Sequence, residues 1–81
     1  MKDTRVEAAR SALIVIDIQE RLLPAIYAAD ADLVVQNSRL LIEAARLFSV
    51  PVLASEQYPR GLGSTIEPIA QAMADVRPVS K

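Results

Sequence analysis

The 81-residue chain contains neither cysteine nor histidine. Without thiols these residues can form no disulfide, no thiolate metal site and no cysteine nucleophile. Without imidazole they offer no histidine general base and no histidine metal ligand. An excess of one charge is also absent, because nine basic and ten acidic side chains leave a net charge of −1. Their scatter along the sequence argues against a nucleic-acid footprint or an anionic-membrane patch. The longest strictly apolar run, residues 12–16, is far short of the about 20 residues of a membrane span. Met1-Lys2-Asp3 does not open a secretory leader, so a cytoplasmic location is expected. Glycine is scarce, and both examples, Gly61 and Gly63, fall within three positions of each other. That clustering suggests a backbone needing positive φ or a close approach.

Hydrophobic residues make up 52% of the chain and charged residues 23%, the balance of a folding domain and not of a disordered tail. A chain of this size buries only about 60–65% of its unfolded surface. Its core is expected to be thin.

The most informative stretch is Ala12-Leu13-Ile14-Val15-Ile16-Asp17-Ile18-Gln19. An unbroken apolar run rich in β-branched residues predicts a strand buried on both faces, as in parallel sheets. In open α/β sheets ligands bind beyond the carboxyl ends of the strands, which puts Asp17 at the mouth of a site. Ahead of this strand, residues 1–11 read as a loose arm or short helix. Behind it, residues 20–29 read as an irregular connection interrupted by Pro24. Asp30 and Asp32 are candidate N-caps. They open a helix whose apolar face is Leu33, Asn37, Leu40, Leu41, Ala44, Ala45 and Phe48. Ser49 and Pro51 stop it. Residues 50–55 predict a second strand with its proline at the start, and strand, helix, strand makes a parallel βαβ unit. A loop over residues 56–63 precedes Ser64-Thr65-Ile66-Glu67, a capping-box pattern opening a second helix over residues 66–74. Pro78-Val79-Ser80 begins a third strand that ends at Lys81.

A carboxylate at the edge of an apolar layer is suited to acid–base work. Asp17 reads equally well as a cap of the following turn. As a Walker B aspartate it lacks the phosphate loop, and as a phospho-acceptor it lacks a preceding acidic pair for magnesium. A nucleotide-binding domain is disfavoured by the missing Gly-x-Gly-x-x-Gly. Lys81 reaches the same sheet edge, where an ammonium could hold developing negative charge. The plain alternative is a solvated terminal lysine. Glu56, Gln57 and Tyr58 leave the second strand at that edge, and loop polar groups of this kind are mostly solvated.

Asp17-Ile18-Gln19, Val50-Pro51-Val52-Leu53 and above all Ser55-Glu56-Gln57-Tyr58-Pro59-Arg60-Gly61-Leu62-Gly63-Ser64-Thr65 resemble the isochorismatase-like cysteine hydrolases. The match is to the branch with a Glu-Gln-Tyr-Pro-x-Gly-Leu-Gly loop, and it covers about the first 40% of a domain of ordinary size. The resemblance implies a Rossmann-like, three-layer α/β/α sandwich with a mostly parallel sheet. Of this the chain supplies the first three strands and two helices, as the N-terminal portion of one domain. It implies hydrolysis of an amide-like C–N bond by an Asp, a Lys and a Cys. Asp17 matches the base and Lys81 the lysine, while Gln19, Glu56, Gln57 and Tyr58 match pocket positions. No cofactor is implied; nicotinamidase-type members bind a metal through Asp and His, a site these residues cannot assemble. The nucleophile is missing, so the segment alone is expected to be inactive. The expected partners are a small-molecule substrate and either a missing C-terminal half or further copies of the chain, with no nucleic acid and no membrane. The alternative is a non-catalytic or truncated relative acting as a binding or oligomerisation module.

Overall fold

The computed structural model describes residues 5–81. After a 3₁₀ turn (Ala8–Arg10), strand β1 (Leu13–Ile16) leads through a second 3₁₀ turn (Leu23–Ala25) to helix α1 (Ala28–Leu47). Strand β2 (Val52–Glu56), a single helical turn α2 (Pro59–Leu62), helix α3 (Glu67–Met73) and strand β3 (Val79–Ser80) follow. The three strands form one parallel sheet in the order β1-β2-β3.

β1 is shorter than the apolar run predicts because Asp17 adopts φ +55° and turns the chain. The backbone then runs beside residues 64–66, with Ile66 N–H donating to Ile18 C=O at 3.0 Å and Gln19 bridging Thr65 antiparallel. α1 starts two residues before Asp30, with Tyr27 at its N-cap and no side-chain cap. Asp30 therefore favours the helix through its position in the positive first turn and not by capping. α1 ends where Ser49 takes the left-handed conformation (φ +58°), with Val50 N–H donating back to Ala45 C=O at 2.7 Å.

Of the expected face of α1 only Ala45 is buried. Ile42 and Ala45 are the buried residues of the helix, with Val35 beside the core, whereas Leu33, Leu40, Leu41 and Phe48 are exposed. The capping box of α3 does not form either. Ile66 and not Ser64 is the N-cap, with no side-chain cap, and the neighbouring Thr65 hydroxyl donates to Glu56.

Val15 and its β2 partner Ala54 point to one face of the sheet, where they pack with Ile42 of α1 and Ile69 and Met73 of α3. Alternation sends Ile14, Ile16, Leu53 and Val79 to the other face. Those side chains are 57%, 60%, 56% and 68% exposed. Among the described residues the sheet is therefore covered on one face only, and the two-sided burial that β1's composition predicts is half realised.

Candidate active site at the carboxyl end of the sheet

The polar residues at the ends of the parallel strands converge. Asp17 follows β1 directly, and its N–H donates to Ser55 C=O at 3.1 Å, extending the ladder by one bond. Its left-handed backbone costs about 1–2 kcal/mol in an ordinary residue, less in an aspartate. The turn brings its carboxylate over the ends of β2 and β3. Ser55 Oγ donates to Asp17 Oδ1 at 3.0 Å, and Lys81 Nζ donates to Oδ2 at 3.0 Å. The Asp17 side chain is 24% exposed and that of Lys81 43%, so the pair is open to a substrate on one side. Lys81 is tied in by its backbone, donating to Glu56 C=O at 2.8 Å and accepting from Tyr58 N–H at 3.1 Å.

Gln19, expected in the pocket lining, is fully buried. Its Nε2 donates to Gln57 C=O at 3.0 Å and to Gly63 C=O at 2.7 Å, while its Oε1 accepts Gln57 N–H at 2.7 Å. With all three bonds made to main chain, the amide staples the 57–63 loop to the end of β1, and its complete burial keeps it from a ligand. Glu56 is likewise turned away from the pair. Strand alternation sends it toward the helix-covered side, where Oε2 accepts both Thr65 N–H (2.6 Å) and Thr65 Oγ1–H (2.8 Å). Gln57 and Tyr58 remain exposed at the rim.

Tyr58 sits in the left-handed region (φ +42°, ψ +64°) with its ring over Gly61, where an added Cβ would come 2.3 Å from the ring. Gly63, at φ +82°, is the glycine whose conformation the loop requires. Arg21 closes the loop from outside, its guanidinium donating to Gly61 C=O at 2.7 Å.

Ser55 and Thr65 were not singled out by sequence. The only signal for Ser55 is its register beside Ile16, one residue short of Asp17. No group of three or more acidic side chains converges as a metal site among the described residues. An open recess of about 620 Å³ lies elsewhere, between the Leu23–Ala25 turn and the start of α1, and neither Asp17 nor Lys81 lines it. The paired charges, not that recess, are the candidate site. Among the described residues no helix is long and apolar enough to cross a membrane.

The chain is 38% identical over 77 residues to mouse isochorismatase domain-containing protein 2A, a match covering 95% of this chain and 35% of that protein. It is 43% identical over 60 residues to zebrafish isochorismatase domain-containing protein 1, covering 73% of this chain and 20% of the relative. A solved structure titled as the MAR1 ribonuclease from Caenorhabditis elegans superposes with a TM-score of 0.83 at 36% identity, over 95% of this chain and 39% of that one. The chain thus spans about a third or less of the length of these curated relatives. The family model for the isochorismatase domain matches residues 11–80, from the start of β1 to the last strand. On that match and on its parallel α/β fold, the chain belongs to the isochorismatase domain family.

Proposed function

We propose that the chain carries the base and the cation of an isochorismatase-like hydrolase site acting on an amide-like C–N bond of a small molecule. The observation that carries this reading is the 3.0 Å contact between Lys81 Nζ and Asp17 Oδ2 at the carboxyl end of the sheet. In this reading the domain continues beyond these residues, in line with the fraction of its relatives that the chain spans. A cysteine from that remainder is the nucleophile. A free thiol of pKa about 8.5 is mostly protonated at neutral pH and needs a base and a cation beside it. Asp17 takes the thiol proton, the thiolate attacks the carbonyl carbon, and Lys81 faces the negative charge that develops. The departing nitrogen takes the proton from Asp17 as the C–N bond breaks, and water then releases the acyl group from sulphur. Tyr58 and Gln57 form the rim of the pocket, while Gln19 and Glu56 hold its loop. Residues 1–81 alone are inactive in this reading, for want of the thiol.

Asp17→Asn tests it in the cysteine-bearing domain with a panel of small amides and ureides. Hydrolysis should disappear, and retained hydrolysis refutes the assignment of the base. RNA belongs in the same panel because one similar structure is titled a ribonuclease. A net charge of −1 and a single ammonium at the site suit a polyanion poorly. The competing reading, a non-catalytic binding or oligomerisation module, is favoured by the uncovered apolar sheet face. Under it, Asp17→Asn leaves association unchanged and no substrate of the panel turns over.

A further inference from the structure

The Asp17 carboxylate has two oxygens, and each has its own donor from a different strand end. The lysine is a weak anchor. Its head is nearly half exposed on a four-carbon stem, and solvent-screened ion pairs of this kind hold geometry poorly. Ser55 is a different kind of partner. Its carbonyl accepts the Asp17 N–H at 3.1 Å and its hydroxyl reaches Oδ1 at 3.0 Å, so one strand residue grips both the backbone and the side chain of Asp17. It stands in register with Ile16 on β2, a rigid element with one short side chain to orient. The χ1 torsion of an aspartate has three staggered wells. A partly exposed carboxylate stays in one of them only while a donor on a rigid element holds it there. A lone ammonium could draw both oxygens round; a hydroxyl on the opposite oxygen prevents it.

We infer that Ser55 is the positioning residue of this site, its hydroxyl holding the Asp17 carboxylate so that Oδ2 faces Lys81 and the approach of the thiol. The inference rests on the reading of Asp17 as the base, and its test separates the two. Three-bond couplings from backbone nitrogen and carbonyl carbon to Asp17 Cγ, measured on the isotope-labelled chain, report whether χ1 occupies one well. Backbone amide shifts of β1 and β2 report whether the sheet is intact. The wild type and Ser55→Thr, which keeps the hydroxyl, should show a single well. Ser55→Ala should show averaging with the sheet unchanged. Ser55→Val, isosteric with threonine and lacking only the hydroxyl, gives the same information if the alanine variant is unstable. A single well in both hydroxyl-free variants overturns the inference and leaves the assignment of Asp17 intact. Full hydrolysis by Asp17→Asn overturns the assignment beneath it, whatever the couplings show.

Discussion

At the scale of single residues, the buried amide of Gln19 separates support from chemistry. Replacing it with leucine strands one N–H and two carbonyls, of which each buried orphan costs about 1–3 kcal/mol. Gln19→Leu should thus lose about 3 kcal/mol in a urea titration, with the loop becoming accessible to proteases before the strands do. Gly61→Ala should act differently. Its new Cβ meets only the ring of Tyr58, which is 61% exposed and free to swing outward. Stability should change by less than about 0.5 kcal/mol, as for other surface substitutions. On the proposed hydrolase reading, KM should rise several-fold with kcat nearly unchanged, because a rim residue has moved and the proposed base has not. The sequence made the place of Asp17 legible, because an apolar run ending in a charge has one natural position in a parallel sheet, whereas that of Lys81 rested on the short strand expected over Pro78-Val79-Ser80. It did not reveal that Gln19 turns inward. That depends on the left-handed backbone of Asp17, which no side-chain pattern announces. Glu56 was obscured for a related reason. Its partner Thr65 lies inside the capping-box pattern that Ser64 opens, and only the return of the chain beside β1 brings that hydroxyl to Glu56.

At the scale of elements, α1 carries apolar side chains on more than one flank. Leu33, Leu40, Leu41, Ala44, Ala45 and Phe48 lie opposite the charged side and form the more conspicuous stripe, yet of these only Ala45 is buried, and the core is met by Ile42 with Val35 beside it. Periodicity reveals that a helix exists without ranking two apolar flanks, since only the direction of approach of the sheet decides between them. The flanks are separable by measurement. Ile42→Ala, at a fully buried site, should cost about 2–5 kcal/mol. Leu40→Ala, at a position 65% exposed, should stay within about 0.5 kcal/mol. If Leu40→Ala is costly only in a longer form of the protein, the second flank of α1 is packed there. The parallel pairing of β1 and β2 was legible from the βαβ spacing, because connection length and handedness leave few other arrangements. Element boundaries were less so, as they are set by local turns such as Ser49 and Tyr58.

At the scale of the whole molecule, the Cα radius of gyration is 13.7 Å, against about 12 Å for a compact domain of this length. The excess fits a sheet clothed on one side and a long helix with an unpacked flank. β1 also lies at the edge of the sheet, and a flat apolar edge is a template for pairing. The isolated chain is therefore expected to associate, with an apparent mass by light scattering that rises with concentration and with strong binding of an apolar dye. Lysines in place of Ile14 and Leu53 should reduce both signals. A monomer with a sharp unfolding transition would contradict this expectation. One further consequence follows from the direction of Ser55. Alternation aims its hydroxyl from the same side of the sheet as Ile16 and Val79, so whatever dries that side also comes to lie against Asp17. On the proposed reading, completion and activation are then one event, and a two-piece version of such a protein would behave as a coincidence detector, silent until both pieces meet.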